Sequence, residues 1–294
     1  MIGPAPRATV ELGDTRVTYL PDGHAWFTPE SVFPTSSREE WATHAAYLDD
    51  EGRFPVSVGS FLVRTADRVM LVDLGLGDVS FDVPGFGSFQ GGGLLRSLAE
   101  EGLRPQDVDT VVYTHLHHDH VGWTTGTAPG PQARPAGPVG ELTFGNARHL
   151  VGRTEWEHWA GRDELTGPDP VLVQAPLADR IAFVGDGTEL APGVRVLATP
   201  GHTPGHHSLV VTDPTGSTDR RVLILGDVMH CQVQVVRSHW SFVFDSDAGQ
   251  AGDTRERLLR DSEGSDTIIA GGHFAGSVFG HAQPPSARRD WARI

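Results

Sequence analysis

An apolar run, Val111-Val112-Tyr113, leads directly into Thr114-His115-Leu116-His117-His118-Asp119-His120-Val121-Gly122. The run reads as a buried strand, and the residues after it place five potential metal ligands within six positions. A strand end fixes the direction of the backbone, and the loop that follows can fold its side chains around an ion. Neutral imidazoles combined with the hard carboxylate of Asp119 suit zinc and its neighbours in the transition series.

The remaining chain limits what such a loop can be used for. Its 294 residues suffice for a sizeable core without disulfides, and its single cysteine, Cys231, can form none internally. A net charge of −15 disfavours phosphate backbones, and no basic patch is visible, so no nucleic-acid partner is expected. Neither a leader pattern nor a membrane-length apolar run occurs, which predicts a cytoplasmic protein with no membrane partner. All 23 basic residues are arginine. Schiff-base lysine chemistry and a phosphate-loop lysine are therefore excluded. No Gly-x-Ser-x-Gly elbow is present.

Along the chain, Thr9 to Leu20 reads as short edge strands, and Trp26, Phe27, Phe33 and Trp41 as core or cap. Residues 1–50 form an N-terminal extension packing on the core, available to a pocket or a dimer. Residues 56–64 and 69–74 read as a hairpin, the second strand ending at Asp73. The Gly- and Phe-rich segment 78–93 is expected to be a mobile loop. Leu94, Leu95 and Leu98 share a helical face that stops near Gly102. Residues 123–140 read as a loop, and Thr154 to Glu157 as a capping box opening a helix. Strands are predicted at 193–198, 207–212 and 221–226. A helix follows over 248–261, then a last strand at Thr267–Ala270.

Three later positions repeat the pattern of a strand end followed by a ligand-type residue: Thr199-Pro200-Gly201-His202, Gly226-Asp227 and Gly271-Gly272-His273. The adjacent glycines are expected to let the backbone approach an ion closely. With His115, His117, Asp119 and His120 these residues make seven ligands for two metals.

In this order, His115-x-His117-x-Asp119-His120, His202, Asp227 and His273 resemble the metallo-β-lactamase superfamily, over about residues 56 to 275. The resemblance implies an α/β fold, a four-layer αββα sandwich, across a single domain of residues 1–294. It implies that His115, His117 and His202 hold one metal, that Asp119, His120 and His273 hold the other, and that Asp227 bridges them. Asp73 matches an aspartate that supports a ligand from behind. Two Zn(2+) ions are the expected cofactors, with Mn, Fe or Co compatible with the same donors, and a homodimer is implied.

Thr199 to His206, Gly226 to His230 and Phe244-Asp245-Ser246-Asp247 are most similar to the branch that contains methyl parathion hydrolase and related lactonases and esterases. The chain departs from that branch at His118 and Trp123, and at His230, where acyl-homoserine lactonases have a tyrosine. The function implied is hydrolysis of a small-molecule lactone or ester by a hydroxide that bridges the metals. A phosphotriester, a β-lactam and a non-hydrolytic metal-binding scaffold are the alternatives. Asp119 and His230 are the catalytic candidates, Asp119 for orienting the nucleophile and His230 for the leaving group. His118, His206 and His207 are expected to be supporting residues. His239, Trp240, Trp123, Phe86, Phe89 and Phe274 are candidates for the pocket wall.

Overall fold

A computed structural model describes residues 2–128, 140–283 and 289–294. The loop expected at 123–140 therefore lies partly outside the described residues, from 129 to 139. Nine strands build the first sheet: β1 Ala8–Leu12, β2 Thr15–Phe27, β3 Phe54–Arg64, β4 Val69–Val72, β5 Ser80–Val83, β6 Gly87–Gln90, β7 Thr110–Val112, β8 Arg148–Gly152 and β9 Ile181–Val184. Seven build the second: β10 Glu189–Ala191, β11 Val194–Ala198, β12 His207–Thr212, β13 Arg221–Ile224, β14 Thr267–Ala270, β15 Phe279–Gln283 and β16 Asp290–Arg293.

The first sheet runs β5-β6-β2-β3-β4-β7-β8-β9, with β1 also paired to β2, and the second follows chain order from β10 to β16. Antiparallel hairpins make up most of both sheets. The pairs β4–β7, β7–β8, β8–β9 and β13–β14 are parallel. A parallel pair needs a crossover, and helices serve three of them: Leu94–Glu100, Arg153–Trp159 and Ala248–Ser262.

Three apolar clusters define four layers. Val17, Phe61, Val63 and Val112 of the first sheet meet Leu209, Val222 and Ile268 of the second, so the sheets pack face to face. The other face of the first sheet carries Leu62, Leu71 and Val111 against Leu94, Leu98 and Trp159 of its helices. The other face of the second carries Leu223 and Ile269 against Leu258 and Leu259 of the helix Ala248–Ser262. The arrangement is the expected αββα sandwich, in which a strand buried on both faces loses simple polar–apolar alternation.

Several elements differ from the sequence-based expectations. β2 is no edge strand: it runs thirteen residues and pairs with β1, β3 and β6. Segment 78–93 is a hairpin, β5–β6, hydrogen-bonded onto β2. Its glycine content hid two strands short enough to need a neighbouring strand for support. The helix Arg153–Trp159 starts after Gly152 with no side-chain cap, so Thr154 forms no capping box. Two strands, β15 and β16, follow Thr267–Ala270. Phe33, Trp41, Phe54, Trp240 and Phe242 form a fourth cluster, which joins residues 1–50 to the segment after Asp227. Among the described residues no helix is long and apolar enough to cross a membrane.

Candidate metal centre

Every predicted ligand lies beyond the carboxyl end of a strand, on one shared edge of the two sheets. β7 delivers the His115–His120 segment, β11 His202, β13 Asp227 and β14 His273. Two groups of donors converge there with ligand atoms within 4.8 Å of one another: His115, His117, His202 and Asp227, and Asp119, His120 and His273. A third such group, Asp227, His230 and His273, adds His230.

Asp227 stands at the centre. Its Oδ2 lies 3.2 Å from His202 Nε2 and 3.7 Å from His115 Nε2. Its Oδ1 lies 3.2 Å from His120 Nε2 and 3.1 Å from His273 Nε2. Asp119 Oδ2 is 3.4 Å from His273 Nε2. His117 Nδ1 and His202 Nε2 face each other at 2.9 Å. Donors that share one zinc at bond lengths near 2.1 Å stand roughly 3.4 Å apart. The donor set also contains buried atoms with nothing to bind: His115 Nε2, His120 Nε2 and Asp227 Oδ1 have no hydrogen-bond partner. Orphaned polar atoms in a core are costly, and three aimed at one another fit a site built for cations.

The electrostatics of the donor cluster agree. Burial and the neighbouring imidazoles hold His115 and His117 well below the ordinary histidine range. Burial opposes charge on His120 as well, but Asp227, Asp119 and Asp73 outweigh it and hold that residue well above. Asp227 is itself buried, yet His120, His273 and His115 keep its carboxyl well below the usual range. A carboxylate that stays ionised in a core surrounded by imidazoles is the charge pattern a divalent ion would complete.

The ligands are held from behind. Nδ1–H donates from His120 to Asp73 Oδ2 at 2.8 Å, from His202 to Asp245 Oδ1 at 2.9 Å, and from His273 to the Ser57 carbonyl at 2.8 Å. His115 Nδ1–H donates to Thr114 Oγ1 at 3.1 Å. Each bond fixes the tautomer and turns Nε2 inward. Asp73 also accepts from the Thr114 amide and hydroxyl, both at 2.8 Å, and among the described residues it is the one non-glycine with a left-handed backbone, φ 63°. Such a conformation costs roughly 1–3 kcal/mol and persists only where surrounding bonds impose it.

Of three further residues that support the ligands, Glu155 and Arg255 carried no clear sequence signal, whereas His206 was expected in that role. Glu155, fully buried, accepts from the Leu116 amide at 3.0 Å and from the Thr203 hydroxyl at 2.6 Å. It thereby ties the His115–His117 segment to the loop of His202. His206 Nε2 accepts from the Asp227 amide at 2.9 Å while its Nδ1 faces Thr199 Oγ1 at 2.8 Å. Buried Arg255 donates Nε–H to the Val228 carbonyl at 2.8 Å, and its Nη2 lies 3.6 Å from Asp245. Glu155 and Arg255 could be found only by placing distant segments together: Glu155 sits in the first turn of its helix, and Arg255 lies on a helix whose other basic residues face solvent.

The expected role of the glycines is corrected. A Cβ on Gly226, whose φ is 57°, would meet the His206 ring at 2.6 Å, and one on Gly201, φ 136°, would meet the Ala251 amide nitrogen at 2.3 Å. They make room for protein that positions the ligands, rather than for an ion.

A cavity of about 320 Å³ opens onto the centre. Phe81, Phe86 and Phe89 of the β5–β6 hairpin, with Phe27, Phe242 and Phe244, form its apolar wall, and Asp119, His118 and His230 also line it. The wall predicted for Phe86 and Phe89 is therefore present. Trp240 and Phe274 are core residues, and His239 and Trp123 are not among the lining residues. Trp123 turns away and donates Nε1–H to Asp22 Oδ1 at 2.8 Å.

His230 differs from the other imidazoles. Its ring stacks on Phe242 with centroids 3.6 Å apart and planes 10° apart, and its Nε2 lies 3.1 Å from Asp227 Oδ2. Its Nδ1 has no partner. It is held by stacking and by its bond to Asp227, with no residue fixing its Nδ1 from behind.

Comparison with known proteins bears on this geometry. The family described as the metallo-beta-lactamase superfamily matches residues 53–273. An N-acyl homoserine lactonase from Bacillus thuringiensis is 31% identical over 173 residues, which cover 54% of this chain and 60% of that protein. The matched region thus spans about 60% of that relative's length. The dizinc quorum-quenching lactonase AidC, solved with the product N-hexanoyl-L-homoserine, has the same fold: TM-score 0.78, 19% identity, 100% of this chain and 98% of that one covered. So does AbOPH, a hydrolase in the beta lactamase superfamily, at TM-score 0.77 and 23% identity, covering 99% and 98%.

Proposed function

The chain belongs to the metallo-β-lactamase superfamily, and from that premise we propose that it is a dinuclear metal-dependent hydrolase that cleaves an uncharged lactone or ester. The observation that carries this reading is the pair of donor groups on either side of Asp227, one containing it and the other placing His120 and His273 within 3.2 Å of its Oδ1, at the floor of an aromatic cavity. The lactonase relatives support it.

His115, His117 and His202 would hold one metal, and Asp119, His120 and His273 the other, with Asp227 between them. Zinc suits the nitrogen-rich set, and manganese, iron or cobalt would fit the same donors. When bound, the metals lower the pKa of the water they share and offset the charge that grows on the substrate's carbonyl oxygen.

The protein's own groups do the rest. Asp119 is the ligand with appreciable exposure, 30% of its side chain, and it lines the cavity. One of its oxygens is placed to orient the attacking water and accept its proton. His230 is free of an anchoring bond at Nδ1 and can pivot on Phe242. It is suited to hydrogen-bond the leaving oxygen. The phenylalanine wall excludes water and receives the apolar part of the substrate.

The charge of the cavity ranks the alternatives. Among the described residues that line it there is no arginine, whereas Asp119, Asp163, Glu164, Asp169 and Asp227 are acidic. β-Lactam antibiotics carry a carboxylate, for which the described lining offers no cationic side chain to hold it apart from the metals. A neutral phosphotriester meets no such obstacle and is the second reading.

A panel of lactones, aryl esters, phosphotriesters and a chromogenic cephalosporin, run on protein of measured metal content, tests the proposal. Turnover of lactone or ester that disappears with a chelator and returns with zinc is expected. Strong cephalosporin turnover, or ester turnover that survives full metal removal, would overturn it. The cytoplasmic location and the homodimer belong to the same reading; size-exclusion chromatography with light scattering decides the second.

A further inference from the structure

Asp22 lies at the break in register between β2 and β3, where Pro21 pairs with Gly59 and Gly23 with Val58, so it is the extra residue of a β-bulge. A bulge re-aims one side chain off the ladder. The carboxylate of Asp22 is buried and accepts five hydrogen bonds. Oδ2 takes the amides of Leu76 at 2.7 Å and Gly77 at 3.0 Å. Oδ1 takes those of Gly92 at 3.3 Å and Leu94 at 2.9 Å, with Trp123 Nε1–H at 2.8 Å.

These donors come from three places that matter to the cavity. Leu76 and Gly77 precede the β5–β6 hairpin, Gly92 and Leu94 follow it, and Trp123 directly follows the segment of His115–His120. One carboxylate therefore closes both roots of the hairpin that carries Phe81, Phe86 and Phe89, and joins them to the end of the ligand segment. The surrounding glycines are shaped to it. A Cβ on Gly75, φ 59°, would lie 2.5 Å from Asp22 Oδ2, and one on Gly93 would lie 2.7 Å from the Asp22 carbonyl. Gly93 thus makes room for the Asp22 backbone, and Gly91 for the Gly77 carbonyl beside it.

We infer that Asp22 is a positioning residue that sets the aromatic wall relative to the metal centre and so determines which apolar groups the enzyme accepts, with Trp123 as its link to the ligand segment. Charge-assisted bonds to one anion hold what two separate turns would otherwise leave independent. This specificity role rests on the hydrolase reading of the same site.

The test uses the metal-loaded full chain with Asp22→Asn, Trp123→Phe and the double variant. Asparagine keeps the shape but turns a donor toward donors, and phenylalanine keeps the ring while removing one bond. Hydrogen exchange is expected to accelerate about tenfold or more at residues 76–77 and 92–94 in Asp22→Asn, the effect of losing one bond to a charged group. Residues 267–273 should be unchanged, and metal content should stay at two ions per chain. KM for an octanoyl ester is expected to rise about tenfold relative to KM for the acetyl ester of the same alcohol. Trp123→Phe should shift that ratio in the same direction by less, and the double variant should fall short of the summed effects. Unchanged exchange at the hairpin roots would overturn the clamp. A lowered melting temperature with an unmoved KM ratio would reduce Asp22 to a scaffold residue and overturn the specificity role. If wild-type protein turns over no ester, the hydrolase reading fails while the exchange data still decide the clamp.

Discussion

The two sheets contribute to the metal centre in opposite styles. The first presents four donors within six residues, His115 to His120, from the end of one strand. The second presents His202, Asp227 and His273 from three strand ends far apart in the chain. The first edge is aimed by Asp73, and Glu155 ties it to the loop of His202 on the second. The second is clamped by neutral His206 and by Asp245, which is backed by the buried guanidinium of Arg255. A local cluster keeps its ligands together by covalent spacing and needs bonds only to aim them. A dispersed set has no such guarantee, so its loops are tied to a helix and to one another.

The most severe way to break the comparison is to remove the residue both edges share. Asp227→Ala is expected to lose metal and to lower kcat/KM on the order of a thousandfold. Metal analysis alongside kinetics checks it, and retained stoichiometry with full activity would refute the bridging role.

The first sheet carries a buried histidine outside the centre. His149 accepts from the Tyr113 hydroxyl at Nδ1, 3.1 Å, and donates from Nε2 to the Phe144 carbonyl, 3.1 Å. Burial pushes it down to about 4. The folded state thus refuses a proton that the unfolded chain accepts below about pH 6.5. The sign follows: this contribution is complete above pH 6.5 and is lost as pH falls toward 4, by up to about 3 kcal/mol. Denaturant unfolding of wild type and His149→Asn from pH 7 to 4.5 should show a shallower decline in the variant. Parallel declines would count against the assignment.

The clamps separate the two edges more finely. Asp73→Asn should weaken chiefly the metal held by Asp119, His120 and His273. Asp245→Asn should weaken chiefly the one held by His115, His117 and His202. Each is expected to cost about 10- to 100-fold in affinity for its own ion. Competitive chelator titration with cobalt reads the two steps, and loss of the same step in both variants would erase the distinction.

The smallest effect concerns Cys231. It is buried beside His230, and burial pushes its thiol up to about 12. Cys231→Ala should retain hydrolysis and cost about 1 kcal/mol of stability. Abolished activity at full metal content would return a nucleophilic thiol to consideration.

Most ligand positions were legible because metal chemistry demands particular side chains and strand ends announce themselves in apolar runs. The β3–β4 hairpin, the helices at Leu94–Glu100 and Ala248–Ser262, and the strands β11 to β14 were legible for the same reason: periodicity and turn residues act over a few positions. β5 and β6 were not, because their glycines and phenylalanines resemble a loop until β2 lies alongside. The glycines at 201 and 226 were assigned to the ion when they serve neighbouring side chains. Trp123 read as a pocket wall and proved to bond Asp22.

By itself, then, the sequence determined the donor chemistry, the order of the ligands and the layered α/β architecture. These depend on residue type and short-range pattern. Only the tertiary structure decided which carboxylates serve the metals and which serve the loops. Asp22, Asp73, Glu155, Asp227 and Asp245 differ little as side chains. What separates them is whether backbone amides, imidazole N–H groups or unpartnered imidazole nitrogens surround each one, and that follows from the meeting of strand ends far apart in the chain.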